Sequence, residues 1–184
     1  MATLFVDKID PQSGTSLEIG SSGDTITTAT GAKPSFLYPA FEAILSSSAS
    51  INHDTQTKVQ CNTEVFDTNS CYDNSSNYRF TPTVAGKYLV YSKVRIDTTA
   101  ANCEIIVSYI FKNGSSYTYS VIDFDSNDGE GGSTTNSSII DMNGSSDYVE
   151  FYAYGKAASG SGTLGVEGAS SNYPTLFGAY RIGT

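Results

Sequence analysis

The chain has 184 residues, enough for one compact domain and a short appendage, and ten basic residues face nineteen acidic ones for a formal net charge of −9. Binding to a nucleic-acid backbone needs clustered Lys and Arg, and no such cluster occurs, which argues against a direct role on DNA or RNA. No segment approaches the ~20 apolar residues of a membrane span. Met1 to Asp7 lacks the basic and apolar regions of a signal peptide, so synthesis in the cytosol is expected.

The composition is rich in Gly, Ser, Thr, Asn and Tyr, with thirteen Tyr and no Trp. Strand formers and turn formers are both abundant, which favours an all-β protein with many turns. The 39% hydrophobic content suffices for one core.

Residues 1–33 differ from the rest. Leu4, Val6, Ile9, Leu17, Ile19 and Ile26 are separated by turn chemistry, and Gly14, Gly23 and Gly31 recur every eight or nine residues. That spacing suits very short strands, each too short to bury a face alone. Such a β-structured arm gains order by winding around copies of itself or by docking on another protein. Pro34 and Pro39 then bracket a stiff entry into a main domain over 34–184.

Alternation begins there. Phe41 and Ala43 share one face of an early strand, with at most one helical turn over 41–45. Thr57 to Phe66 alternates, with Val59, Cys61 and Thr63 on one side. Gly86 to Ile96 is a strong strand signal that places Tyr88, Val90, Ser92, Val94 and Ile96 on one face. Glu104 to Phe111 is the next strand, and Asn113-Gly114 is a hairpin turn because both residues accept positive φ. Tyr117 to Ile122 returns from it. Further strands are expected from Ser138 to Asp141, Tyr148 to Tyr154, Thr163 to Glu167 and Leu176 to Ile182. Eight to ten strands with turns at short intervals read as a sandwich or jelly roll. The candidate recognition loops are 67–77, 123–136 and 155–162, because binding concentrates on loops over rigid scaffolds.

Cys61, Cys71 and Cys103 match no zinc spacing and read as reduced thiols, although a Cys61–Cys71 bridge is conceivable in an oxidising medium. His53 is the only histidine; without a placed nucleophile it makes no triad and reads as a satisfied surface histidine. No glycine run is followed by the Lys-Ser or Lys-Thr of a phosphate-binding loop. Asp123, Asp125, Asp128 and Glu130 alternate in a glycine-containing loop and are candidate calcium ligands, although a solvated acidic loop explains them as well.

Tyr72-Asp73, then Phe80-Thr81-Pro82, then Ala85-Gly86-Lys87-Tyr88 resembles the signature of the complement C1q and tumour-necrosis-factor-like globular head. Lys112-Asn113-Gly114 is similar to that family's hairpin, Gly144 to Val149 to one strand start, and Thr175 to Ile182 to its last strand. Val90 stands where the family has an aromatic residue, and no collagen-like repeat precedes the domain. The resemblance covers roughly residues 35–184. It implies a jelly-roll β-sandwich that assembles as a homotrimer with aromatic-rich surfaces at the subunit contact. Tyr88, Tyr109, Tyr117, Tyr119, Tyr152, Tyr154 and Phe177 are the expected contact residues, since tyrosine buries a ring while its hydroxyl keeps a partner. Some members of the family bind calcium near the trimer apex, which keeps the acidic loop in view; no other cofactor is expected.

Leu17 to Thr27 is similar to the openings of bacteriophage fibre and virion structural proteins. The two resemblances together imply a phage fibre or spike, located in the virion and made in the host cytoplasm. Its arm would attach to other virion proteins through Leu4, Val6, Ile9, Leu17, Ile19 and Ile26, and its head would contact a host surface receptor or glycan. A capsid decoration protein and a soluble lectin-like module are the alternatives. An enzyme is not expected, because no paired carboxylates stand out on a rigid face.

Overall fold

The computed structural model describes residue 25 and residues 39–97, 102–125, 127–169 and 175–183. The chain divides into two units, Met1–Pro34 and Ser35–Thr184, and the second is described below. The arm residues Leu4, Val6, Ile9, Leu17, Ile19 and Ile26 lie outside the described residues.

Thirteen strands occur among the described residues. In chain order they are β1 (Ala40–Ile44), β2 (Ala49–Asn52), β3 (Thr57–Lys58), β4 (Thr63–Asp67), β5 (Tyr72–Asp73), β6 (Arg79–Phe80) and β7 (Gly86–Asp97). There follow β8 (Cys103–Lys112), β9 (Ser115–Asp123), β10 (Gly131–Met142), β11 (Val149–Ala157), β12 (Thr163–Val166) and β13 (Leu176–Gly183). In the first sheet β10 pairs with β7 along its whole length, while β13 and then β12 pair with the other side of β7. β1 and β4 continue outward from β13, and β2 from β12. The second sheet runs β5-β6-β11-β8-β9, with β3 also paired to β11. Every pairing is antiparallel, as expected for strands joined by short turns.

The strand periodicity produces the core directly. On β7 the side chains of Tyr88, Val90, Ser92, Val94 and Ile96 are all fully buried, and the intervening residues face outward. Across the sandwich they meet Ile106 and Ile110 of β8 and Phe151 and Ala153 of β11. One end of the core is aromatic. Phe41 stacks on Tyr72 at 4.5 Å and on Phe80 at 4.6 Å and meets Phe177 edge-on at 5.1 Å. Phe80 in turn meets Tyr88 at 5.7 Å. The Tyr72 hydroxyl donates to the Cys61 carbonyl at 2.8 Å and the Tyr88 hydroxyl to the Val84 carbonyl at 2.7 Å, so neither polar tip is stranded.

A polar seam crosses the middle of the core, with Val94 and Ile96 continuing the core beyond it. The Ser92 and Ser108 hydroxyls bond across the sandwich at 2.8 Å. Buried Asn136 of β10 donates through Nδ2 to the carbonyls of Ser108 and Thr118, tying the first sheet to the backbone of the second. This seam explains a difference from the expected start of β10 at Ser138. Its first half, Gly131 to Ser137, reads as loop because it is Gly, Ser, Thr and Asn, yet Thr134 and Asn136 point inward and are satisfied there.

Three further expectations are corrected. Residues 41–45 form no helical turn; Ala40–Ile44 is a strand between β13 and β4. The alternating run 57–66 is not one strand. It leaves the second sheet after β3 and enters the first at β4, and the crossing is pinned by Asn62 Oδ1 accepting from the Ser46 amide at 3.0 Å. Val59 and Cys61 are buried as expected, whereas Thr63 is exposed. The expected count of eight to ten strands is exceeded because three of the thirteen are two-residue strands, too short for a periodic signal. The Asn113-Gly114 hairpin forms as expected, with φ of 51° and 77°.

Candidate functional site

The expected contact tyrosines separate into two groups. Tyr88 and Phe177 are fully buried between the sheets, so this protomer's own core consumes them and they are unavailable to a partner. Both were expected at the contact because the side facing the opposite sheet and the side facing outward carry the same residue types. Tyr109, Tyr117, Tyr119, Tyr152 and Tyr154 instead share the outer face of the second sheet. Tyr119 is opposite Tyr109, which is opposite Tyr152, and Tyr152 is opposite Lys58. Tyr109 lies 5.4 Å from Tyr119 and 6.0 Å from Phe111, and Phe111 stacks on Tyr152 at 4.2 Å. The Tyr154 hydroxyl donates to Asp54 Oδ1 at 2.6 Å, and that bond pushes its pKa up to about 12.

β9 is the last strand of its sheet, and on it Tyr117, Tyr119 and Val121 are each at least half exposed. The next strand in sequence, β10, leaves Ile139 exposed. A long edge with apolar side chains is a template for association unless something covers it. The outer face of the first sheet carries a second uncovered patch, which sequence reading missed. Ile139, Leu89 and Tyr180 sit opposite one another on three successive strands, with exposed Ile182 nearby and Phe66 one row on. Tyr91 on this face lies over Gly178, where an added Cβ would fall 2.3 Å from the ring, and its hydroxyl donates to Glu42 Oε2 at 2.7 Å. Alternation alone does not distinguish an outward apolar residue on a covered face from one on a wet face, which is why these residues carried no signal.

The loops are more ordered by their own side chains than their composition suggests. In the 67–77 segment, Asp67 accepts from the amides of Cys71 and Tyr72, and β5 occupies Tyr72–Asp73. Asp73 Oδ1 accepts from the amides of Ser76 and Ser75, and Oδ2 from the amide and side chain of Asn77. These bonds, the backbone donors of Ser76 and Ser75 foremost, hold the Asp73 carboxyl well below the usual carboxylate range. A depressed folded-state pKa contributes stability that is present above the unfolded value and lost as pH falls through the folded one. Asp73→Asn keeps one acceptor oxygen but no charge. It is therefore expected to be less stable than the natural protein at neutral pH, with the gap narrowing progressively as pH falls below about 5 in denaturant titrations.

At the tip of the β8–β9 hairpin, Asn113 exchanges backbone and side-chain bonds with Asp147 and Tyr148, and Lys112 pairs with Asp147 at 3.0 Å. The Asn113 amide and Lys112 hold the Asp147 carboxyl below its usual value. The 123–136 loop shrinks to 124–130, since residues up to Asp123 and from Gly131 are strand, and the 155–162 loop shrinks to 158–162. Asp123 Oδ1 accepts from the Asp125 amide, and among the described residues no group of three or more His, Cys, Asp and Glu side chains is placed to hold a metal ion.

The three cysteines are buried and free, so the conceivable Cys61–Cys71 bridge is not formed. Burial pushes the Cys61 thiol far up and the Cys103 thiol to about 11, which leaves both protonated at neutral pH and poor nucleophiles. His53 Nδ1 accepts from the Ala157 amide at 3.0 Å, the satisfied histidine expected.

One concave site was not anticipated. At the side of the sandwich where β2 faces β3, a half-enclosed cleft of about 420 Å³ opens between the two sheets. Its apolar wall comprises Leu45, Ile51, Val59 and Val166, and Ser47, Ser50, Gln60 and Asn62 stand at its rim. The Ser46–Ser48 turn beside it is held by the Ala169 amide donating to the Leu45 carbonyl at 2.7 Å and the Gly168 amide donating to Ser48 Oγ at 3.1 Å. Gly168 is required there, because a Cβ would lie 2.3 Å from the Ser47 carbonyl carbon.

No protein-family model and no curated protein sequence matches the chain. Solved structures are similar in fold. A crystal structure of murine APRIL is 12% identical with a TM-score of 0.54, covering 78% of this chain and 98% of that one. The globular domain of zebrafish complement 1qA protein is 15% identical with a TM-score of 0.54, covering 79% of this chain and 98% of that one. The architecture is therefore an all-β jelly roll of the C1q/TNF-like kind.

Proposed function

We propose that the chain is a non-enzymatic binding protein whose jelly-roll head works as a homotrimer. The observation that carries this is the pairing of two uncovered apolar surfaces on one protomer: the β9–β10 edge, and the outer face of the first sheet around Leu89, Tyr180 and Ile182. An edge on one copy that covers a different face on the next is a heterologous contact, and such contacts form a ring when the rotation between copies closes. The likeness to C1q/TNF-type jelly rolls favours a ring of three. On this reading Tyr117 and Tyr119 belong to the contact through their place on the edge, and the interface exceeds roughly 2,000 Å² with an apolar centre, as obligate assemblies do.

The finer reading is a virion fibre or spike. Residues 1–33 attach it to the particle, and the head meets a host surface receptor or glycan. Its support is the arm sequence, with its short apolar pairs and recurring glycines.

Light scattering on the purified protein tests the assembly. The natural chain is expected at three times the chain mass, and Tyr119→Glu with Tyr180→Glu at one, since both charges would be buried in the contact. A single-chain mass for the natural protein at micromolar concentration would refute the trimer. Removal of residues 1–33 should leave a trimeric head that no longer joins the particle.

A further inference from the structure

We propose that the cleft between β2 and β3 is a binding site for a neutral sugar unit, a reading that rests on the head being a binding module and adds the chemistry of its ligand. Three observations converge on that chemistry. The volume, about 420 Å³, lies within the range typical of small-molecule sites. The cleft joins an apolar wall to hydroxyl and amide groups: Leu45, Ile51, Val59 and Val166 on one side, Ser47, Ser50 and Gln60 at the mouth. Ser47 and Gln60 are exposed and their side chains make no hydrogen bond among the described residues, so each has donor and acceptor capacity to offer a ligand. A pyranose presents the same combination, an apolar C–H face and a ring of hydroxyls.

Charge decides against the other ligand classes. Among the described residues no carboxylate lines the cleft, which leaves a cation no charged partner there. Lys58, the charged residue among its described lining, is committed elsewhere: its ammonium pairs with Glu150, donates to the Asn77 carbonyl at 3.1 Å and lies over the Tyr152 ring. An anionic ligand would have to compete with that buried carboxylate. The site is also built in advance, because the 46–48 turn is fixed by the bonds from Gly168 and Ala169 and needs no reorganisation on binding. Its walls come from β2, β12 and the chain around β3, whereas the proposed subunit contact uses β9, β10 and the outer face of the first sheet, so a trimer leaves the two features separate.

The test is an array of neutral, sialylated and sulfated oligosaccharides probed with the full-length protein, followed by titration calorimetry with the best neutral oligosaccharide. Binding is expected for neutral glycans and not to depend on sialic acid or sulfate. Ala49→Arg, which fills the cleft from an exposed position on the same strand face as Ile51, should weaken it at least tenfold, and Gln60→Ala severalfold, while Ser159→Arg in the remote 158–162 loop leaves it unchanged. The result that overturns the proposal is absence of neutral-glycan binding, binding confined to charged glycans, or affinity that survives both cleft substitutions. Absence of sugar binding is also the outcome expected if the cleft instead takes an apolar side chain of a protein partner. Light scattering on the same samples separates the two readings: a three-chain mass without sugar binding removes the cleft assignment alone.

Discussion

Phe41→Ala should cost about 3–5 kcal/mol of stability, the range for deleting a fully buried aromatic side chain. Phe41 has no exposed surface, and its ring touches three others, stacked on Tyr72 and Phe80 and edge-on to Phe177. Removing it takes away transfer free energy and leaves a hole that the flanking rings fill poorly, because each is held by its own strand. Tyr72 is further restrained by its bond to the Cys61 carbonyl. Urea unfolding of Phe41→Ala and Phe41→Leu checks this. The leucine variant should lose less, and Phe66→Ala, whose ring is 44% exposed, should lose little within the protomer. A loss below about 1 kcal/mol for Phe41→Ala would mean that the aromatic end is not a packed unit.

Lys58→Met should cost about 3 kcal/mol, for an electrostatic reason. Glu150 is 5% exposed on β11, and its carboxylate is partnered by the Lys58 ammonium from β3. Removing the lysine leaves a buried carboxylate without its counter-charge, which is far more damaging than losing a surface ion pair. Glu150→Leu alone leaves a lysine that is 28% exposed and can turn to water, so it should cost less. The double variant Lys58→Met with Glu150→Leu should recover most of the Lys58→Met loss, since an apolar pair of similar volume carries no desolvation penalty. A double-mutant cycle by urea unfolding gives the coupling directly, and a coupling near zero would contradict a buried, committed pair. The outcome bears on the cleft as well, because a Lys58 bound this firmly is not available to an anion there.

The residues that carry the likeness to the C1q and tumour-necrosis-factor-like head turn out to be structural. Tyr72, Phe80, Tyr88 and Phe177 pack with Phe41 between the sheets, and Asp73 closes a turn with its own backbone. Such residues report the fold because they make it, and they say nothing about the ligand. The surfaces proposed to act are elsewhere, on the β9–β10 edge, on the outer face of the first sheet and in the cleft beside β3. The seven tyrosine and phenylalanine positions expected at a contact divide accordingly. Two are interior, and five line up on one face, of which only Tyr117 and Tyr119 lie on the edge strand.

By itself the sequence determined the all-β class, the two-faced β7, the β8–β9 hairpin at Asn113-Gly114 and the burial of Cys61 and Val59. Each depends on a local rule, a period of two or a residue that tolerates positive φ, and local rules are written in neighbouring residues. Only the tertiary structure decided the rest. It made one half of β10 a strand although its residues read as loop, because Asn136 and Thr134 find partners on β8 and β9. It split 57–66 between two sheets. It also chose which apolar side chains face the opposite sheet and which face outward, and it opened a cleft lined from three separate stretches of chain. Those outcomes hang on contacts between residues far apart in sequence, which no local pattern records.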